Sequence, residues 1–165
     1  MTINILKANN DSDLVEIANL AFDIWHECHL KYINHEQIDY MIDKFQSLEA
    51  MKNQIAHDNY AYDGVFLDKQ LCGYFGIKDD NDKLFLSKLY LHKEFRGKGI
   101  SSAMFEKIFQ IAKSLGKKSI YLTVNKNNTH AIGVYKTKGF KIVDDDITDI
   151  GNGYVMDDYI FEYDL

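Results

Sequence analysis

Residues 84–101, LFLSKLYLHKEFRGKGIS, decide the fold of this chain. Apolar residues alternate through residues 84–91, which predicts a strand, and from Ile100 onward they recur every three or four positions, which predicts a helix. Arg96-Gly97-Lys98-Gly99 connects the two. The glycines let the backbone turn sharply and leave successive N–H groups open, and a helix start adds unpaired donors and a positive dipole end. The stretch therefore predicts a phosphate-binding loop between a strand and a helix.

Length and composition predict a single domain over residues 1–165. Of the 165 residues, 46% are hydrophobic, enough for one well-filled core, and no Pro/Gly/Ser-rich linker divides the chain. The net charge of -6 argues against a nucleic-acid binder and favours cationic partners. Two cysteines are too few for a disulfide framework, and neither a signal peptide nor a membrane span is apparent. We therefore expect a cytoplasmic protein with no membrane or nucleic-acid partner.

The remaining sequence predicts the element order β-α-α-β-β-β-α-β-α-β-β. The apolar spacing and the turn residues predict helices at residues 11–29, at 35–56 with a break near Ser47, at 100–115, and a short one after Asn128. They predict strands at residues 2–7, 60–67, 70–77, 84–92, 119–125, 140–143 and 153–163, with an acidic connection between the last two. This order predicts an α+β fold, with a mixed, mostly antiparallel sheet flanked by helices. Its central parallel pair comprises residues 84–92 and 119–125. We expect ligands to bind where this pair splays apart.

The glycine loop alone is weak evidence, because a glycine pair before a helix is often only a tight turn. Two well-known phosphate loops fit it badly. A P-loop needs a glycine where His92 stands and Ser or Thr where Gly99 stands. A dinucleotide-binding loop needs a third glycine or alanine where Ser102 or Met104 stands, and no ribose-binding acid follows at the proper distance.

A second pattern follows the next parallel strand, Asn128-x-x-Ala131-x-x-x-Tyr135-x-x-x-Gly139-Phe140. Together with the first stretch it resembles the cofactor-binding motifs of the GNAT superfamily of acyl-CoA-dependent N-acetyltransferases. In that family the loop reads Gln/Arg-x-x-Gly-x-Gly/Ala, so Arg96 and Gly99 match and Ser101 departs from the pattern. The resemblance implies the GNAT fold over nearly the whole chain, and acetyl-CoA as co-substrate with no metal.

The resemblance also implies which residues meet acetyl-CoA. The loop amides would hold the pyrophosphate, and the central strand, which the family bulges, would pair with the pantetheine arm and free an N–H for the oxyanion. Tyr135 would donate a proton to the departing thiolate, although on its own it could be an ordinary core tyrosine. The predicted cofactor-binding residues are Leu89, Tyr90, Leu91, Arg96, Gly97, Lys98, Gly99, Ile100, Ser101 and Asn128.

A general base is harder to identify. The central-strand positions Phe85, Ser87 and Lys88 offer no good base. Candidates elsewhere are Glu27 and either Asp157 or Asp158, each of which could instead be solvated surface charge. His26 and His29 could share a helix face, but without a third ligand they do not predict a metal site.

These observations favour acetyl transfer to a primary amine of a small, polyamine-like cation by direct attack in a ternary complex. Acidic and aromatic residues that could hold a cation are Glu27, Asp144–Asp146, Asp157, Asp158, Glu162, Trp25, Tyr32, Tyr40, Tyr154 and Tyr159. The chain also resembles bacterial spermidine/spermine N-acetyltransferases in general character. A peptide or protein N-terminal amine, an amino acid, an aminoglycoside, or a non-catalytic acyl-CoA-binding module remain as alternatives, and a homodimer through the C-terminal strands is left open.

Overall fold

A computed structural model describes residues 1–30 and 33–165, and within them one seven-stranded mixed sheet carries helices on both faces. In chain order the elements are β1 (Ile3–Lys7), α1 (Asp11–His29), α2 (His35–Met41), a π-helical turn (Ile42–Gln46), α3 (Leu48–His57), β2 (Tyr60–Leu67), β3 (Gln70–Asp80), β4 (Lys83–Leu91), a 3₁₀ turn (Lys93–Phe95), α4 (Ile100–Ser114), β5 (Ser119–Asn125), α5 (Thr129–Thr137), β6 (Lys141–Gly151) and β7 (Tyr154–Asp164). This order confirms the predicted succession of strands, and the second predicted helix is divided into α2, the π-helical turn and α3.

The sheet has the strand order β1-β2-β3-β4-β5-β7-β6. Among the described strands β4 and β5 alone pair in parallel, and every other neighbouring pair is antiparallel. The predicted mixed sheet with a central parallel pair is therefore confirmed. In the described part of the chain, no helix is both long enough and apolar enough to cross a bilayer.

Two hydrophobic cores lie on opposite faces of the sheet. One lies under α4 and is built from residues that include Leu84, Leu86, Met104, Ile108, Leu122 and Phe161. The other lies under α1–α3 and includes Leu14, Ile17, Ile38, Met51, Tyr62 and Tyr74. Both cores share the strands β2–β4, so the central strand β4 is fixed from both sides.

Strand β4 carries a bulge at Ser87. Gly76 of β3 lies opposite Lys88, whereas the next β3 residue, Ile77, lies opposite Leu86, so Ser87 is the extra residue. Because side chains alternate between the two faces of a sheet along a strand, one extra residue moves each later side chain to the face opposite the one it would otherwise occupy. The bulge therefore aims Lys88 at the α1–α3 face. It also explains why the apolar alternation at Leu84 and Leu86 resumes one position late.

The chain between α1 and β2 follows the prediction closely, with a break at Ser47. Its hydroxyl Oγ accepts a hydrogen bond from the N–H of Ala50 at 3.1 Å and so caps α3. The preceding turn is π-helical, a local widening of the helix that is often found at functional sites.

The C-terminal hairpin differs from the prediction. Strand β6 extends to Gly151, so the acidic residues 144–146 lie within a strand rather than in a connection. Most of β6 is exposed because it forms an edge of the sheet, and an exposed edge strand tolerates charged side chains well. The expectation of a short strand ending at Val143 was therefore wrong.

The tip of this hairpin is tied to α2 and the π-helical turn. The hydroxyl of Tyr40 donates to the carbonyl oxygen of Ile150 at 2.7 Å, and the ammonium of Lys44 donates to the same oxygen. Nearby, Gln37 Nε2 donates to the carbonyl oxygen of Val155 at 3.3 Å. These bonds bring the hairpin against the helices, where together they form one wall of a cleft.

Substitution of Gly76, which lies opposite the bulge, tests how tightly this part of the sheet is packed. An alanine Cβ at Gly76 would lie 2.9 Å from the Tyr62 ring, whereas an alanine at Gly133 in α5 would touch nothing within 4 Å. We expect Gly76→Ala to lower the free energy of unfolding by about 1–3 kcal/mol. Gly133→Ala should raise it by about 0.4–1 kcal/mol, because it restricts the unfolded chain. Urea denaturation measures both, and equal stabilities would contradict the packing described.

Candidate active site

A cleft opens where β4 and β5 diverge. Of the described strands, these two pair only over Lys83–Phe85 against Ser119–Tyr121. Beyond Phe85 the strand β4 keeps its pairing with β3 but loses β5, and a cleft of about 310 Å³ occupies the space between. A free strand edge can pair with an extended ligand that carries amide groups. The ligand site predicted at the splay is thus matched by a cleft in this place.

The loop after β4 is shaped to hold an anion. Gly97 and Gly99 have φ angles of 77° and 79°, in the left-handed region that favours glycine, and a Cβ on either would meet nothing within 4 Å. Helix α4 begins at Ile100 without a side-chain cap and without an acidic residue in its first turn. Its first N–H groups are therefore open to a ligand, and the loop fits a diphosphate.

Arg96 fixes this loop against α1. Its guanidinium nitrogens donate to the two carboxylate oxygens of Glu27 at 2.9 and 3.1 Å, and one also contacts the Sγ of Cys28 at 3.0 Å. Its Nε donates to the carbonyl oxygen of Leu91 at 3.3 Å. The hydrogen bonds from Arg96 lower the pKa of Glu27. Glu27 does not line the cleft, and a carboxylate held in this way is a poor base.

Tyr135 projects from α5 into the cleft. Its ring packs edge-on against Phe105 and Phe140, at 5.8 Å between centroids in each case. Burial raises the pKa of its hydroxyl, so the phenol stays protonated at any working pH. Asn128 also lines the cleft, and its Oδ1 accepts a hydrogen bond from the N–H of Ala131 at 3.2 Å, which caps α5.

The α1 side of the cleft is aromatic. The ring of Tyr90 lies 5.6 Å from that of Trp25, and the Tyr90 hydroxyl is 3.3 Å from Nε2 of His29. Burial lowers the pKa of His29 to about 4, so its imidazole is neutral near pH 7. Leu89 lines the cleft as well, whereas the side chain of Leu91 packs into the core under α4.

Lys88 is a buried ammonium at the wall of the cleft. Only 5% of the residue is exposed, and its Nζ donates to Phe45 O, to Gln54 Oε1 at 3.1 Å and to the Tyr62 hydroxyl. These three acceptors use all three donors of the ammonium group. Burial lowers the pKa of Lys88 to about 7, and no described carboxylate forms an ion pair with it.

The two acids of β7 that the sequence suggested lie on opposite faces of the strand. Asp157 is exposed and pairs with Lys126 at 3.0 Å, outside the cleft. Asp158 is 7% exposed, lines the cleft and accepts no hydrogen bond from the described residues. Burial raises its pKa to about 6, helped by the charges of Asp157 and Asp146 and opposed by that of Lys126.

The structure therefore brings several predicted cofactor-binding residues together around one cleft and places the two predicted bases elsewhere. Leu89, Tyr90, Asn128 and Tyr135 line one cleft, and the loop of residues 96–101 follows directly from the same strand. The proposed bases Glu27 and Asp157 lie outside that cleft and remain predictions without structural support.

Of the residues predicted to hold a cationic acceptor, some lie at the cleft and others lie away from it. Trp25 lines the cleft and Tyr40 stacks with Tyr154 in the hairpin wall, whereas Tyr159 packs on the other face of the sheet. Glu162 pairs with Lys83 at 2.9 Å, away from the cleft, and Tyr32 lies outside the described residues. Phe85, Ser87 and Lys88 line the cleft from the central strand, as the sequence suggested. The burial of Lys88 was not predicted, although the interrupted alternation before Leu89 was a usable signal.

Comparisons with known proteins agree with this geometry. The family model described as "Acetyltransferase (GNAT) family" matches residues 14–140. Among curated proteins, the chain is 27% identical over 161 residues to the spermidine N(1)-acetyltransferase of Thermoplasma acidophilum, covering 95% of this chain and 97% of that protein. It is also 27% identical over 147 residues to the spermine/spermidine N(1)-acetyltransferase of Bacillus subtilis, covering 86% and 89% of the two chains.

Solved structures give the same result. The PaiA N-acetyltransferase of Thermoplasma acidophilum in complex with coenzyme A superposes with a TM-score of 0.84, 25% identity and full coverage of both chains. A GCN5-related N-acetyltransferase structure from Rhodopseudomonas palustris gives a TM-score of 0.83 at 13% identity, covering 100% of this chain and 97% of that one, which shows likeness of fold alone.

The buried carboxyl group of Asp158 makes a testable contribution to stability. Because its pKa is raised from 3.8 to about 6 on folding, the folded protein favours the protonated form and loses stability as pH rises through this range. We expect Asp158→Asn to raise the free energy of unfolding at neutral pH by about 1–3 kcal/mol and to leave it nearly unchanged below about pH 4. Urea denaturation of both proteins across this range measures the difference, and a variant that is less stable at neutral pH would contradict the assignment.

Proposed function

The chain belongs to the acetyltransferase (GNAT) family, and from this premise we propose that it acetylates a primary amine of a small cationic molecule, with a polyamine favoured. The donor is acetyl-CoA, as in an acetyl-CoA-dependent N-acetyltransferase. One observation above all supports the proposal. The free edge of β4 and the side chain of Tyr135 border a single cleft, and the anion-binding loop follows directly from the same strand β4.

The residues of the chain suit acetyl-CoA in two places. The N–H groups of residues 96–101 hold the diphosphate at the start of α4. Ser101 can replace the glycine or alanine usual at its position, because serine is small and retains its N–H. The edge of β4 from Leu89 to Leu91 pairs with the amides of the pantetheine arm. Acetyl-CoA supplies an activated acetyl thioester, which an amine can attack directly.

The side chains around the cleft assist the attack. A backbone N–H on the free edge of β4, just after the bulge at Ser87, stabilises the negative charge that develops on the carbonyl oxygen. Tyr135 donates its proton to the departing thiolate, a role for which its protonated hydroxyl, which no described residue hydrogen-bonds, is suited. The amine must attack in its unprotonated form, and its proton passes to water in the open cleft.

A cationic acceptor is supported by the acidic wall that the hairpin contributes. Asp158 lines the cleft, and the exposed Asp146 lies opposite it on β6, outside the cleft lining. The relatives from Thermoplasma acidophilum and Bacillus subtilis are named for spermidine and spermine, which are polycations. A peptide N-terminus carries one such charge and would make less use of this wall.

Turnover with a panel of amines tests the proposal. Free thiol is followed after mixing the protein with acetyl-CoA and spermidine, diaminopropane, propylamine or a short peptide. We expect release above background with the small cationic amines and little with the peptide. Calorimetric binding of acetyl-CoA without turnover on any amine would instead indicate the non-catalytic acyl-CoA-binding module.

The proposed acid is tested by removing one hydroxyl. We expect Tyr135→Phe to lower kcat by about 100-fold or more, because the thiolate then departs without a proton donor. Tyr159→Phe is the matched control, since Tyr159 packs against the same core under α4 as Tyr135 but does not line the cleft. Undiminished turnover of the Tyr135 variant would remove this residue from the acid role.

A further inference from the structure

We propose that the acceptor cleft is electrically polarised and binds a diamine or longer polyamine in one direction. The reacting nitrogen lies at the Lys88 end, and the second nitrogen is held as an ammonium by Asp158 and Asp146. This inference rests on the proposed function, because it concerns the same cleft, and it adds a subsite and an orientation to it.

The Lys88 end suits a neutral nitrogen. Lys88 lies on β4, the strand whose free edge adjoins the thioester in the proposed reaction, and its ammonium is fixed by Phe45 O, Gln54 Oε1 and the Tyr62 hydroxyl. Below its pKa of about 7, Lys88 carries a positive charge, which disfavours a second one nearby. An amine bound at this end is therefore pushed toward the unprotonated form in which it can attack. Because all three Lys88 donors are used, the group does not serve to bind an anionic acceptor.

The Asp158 end requires a cation. Asp158 is 7% exposed as a residue, lines the cleft and receives no hydrogen bond from the described residues. A buried carboxylate without a partner is costly, and an ammonium ligand would supply both charge and donors. Asp146 lies directly across from Asp158 in the β6–β7 register, and its Oδ2 accepts a bond from the Thr148 hydroxyl at 3.1 Å.

The strand order separates the two ends. Strand β7 lies beyond β5, so β4 and β7 are two strand spacings apart, about 10 Å or more once β5 has diverged. Phe85 of β4 and Thr123 of β5 line the floor between them. A short chain of methylene groups can lie over this floor with one nitrogen at each end. A monoamine can occupy only one end.

Matched acceptors test the subsite directly. 1,7-Diaminoheptane and heptylamine have the same carbon chain and differ in the second amine, and the extended diamine spans the roughly 10 Å between the two ends. We expect Asp158→Asn to lower kcat/KM for diaminoheptane by about 10- to 100-fold and to change that for heptylamine by less than about threefold. Asp146→Asn, at an exposed position, should give a smaller loss in the same direction.

Asp149→Asn is the charge-matched control. Asp149 lies on the same strand, outside the cleft, and an asparagine there can still accept the hydrogen bond that its Oδ1 now receives from the N–H of Gly151. This variant should keep the wild-type preference for the diamine. If it loses the preference as well, the effect is one of net charge and the subsite is wrong.

Two further results would overturn the proposal. An equal loss for both amines would place Asp158 at the reacting nitrogen, as a base. No loss for the diamine would remove it from acceptor binding. If the wild-type protein acetylates neither amine, the proposed function fails. Calorimetric titration with diaminoheptane still decides the subsite: binding that Asp158→Asn abolishes supports it, and equal binding by both proteins excludes it.

Discussion

The separation of β4 from β5 after Phe85 is the constraint on which the rest of the structure depends. Two parallel strands that stayed paired would leave neither a free edge nor a cleft. Because backbone N–H and C=O groups need partners, an open edge in the middle of a sheet is stable only when water or a ligand pairs with it. The bulge at Ser87 lies just beyond the point of separation and turns Lys88 toward the α1–α3 face. The same few residues thus provide the ligand edge and set the charge of the cleft.

The cleft contains two buried charges that do not neutralise each other. Lys88 is satisfied by neutral acceptors on the π-helical turn, α3 and β2, and Asp158 is satisfied by none of the described residues. Each charge costs folding free energy, and a core built for stability alone would replace both with apolar side chains. Such costs are typical of sites where binding, rather than stability, has determined the residue. The neutral hydrogen-bonding partners of Lys88 also explain why the widened turn at Ile42–Gln46 is placed where it is, since its Phe45 carbonyl faces the ammonium.

The sequence was sufficient for the fold, and it predicted residues for the cofactor half of the site, because both depend on local patterns. Glycine spacing, helix caps and alternating apolar residues place Gly99, Asn128 and Tyr135 without knowledge of distant contacts. The acceptor half depends on which residues of α1, α2 and the C-terminal hairpin meet across the cleft, and no local pattern encodes that. Asp157 and Asp158 are neighbours in sequence, yet strand alternation puts one in solvent and the other in the cleft, and only the register with β5 decides which. Strand β6 was predicted too short because its acidic run resembles a turn when its position at the edge of the sheet is unknown.

The hairpin that closes the cleft is held to the helices mainly through the carbonyl oxygen of Ile150, which receives both the Tyr40 hydroxyl and the Lys44 ammonium. A backbone carbonyl is present whatever the side chain, so this attachment tolerates substitution along the hairpin itself. The residues that face the acceptor can consequently change while the hairpin stays docked and while α4, β5 and α5 are left intact. Substitutions within this single strand pair can therefore reshape one wall of the cleft without disturbing the loop and the helices on its other side.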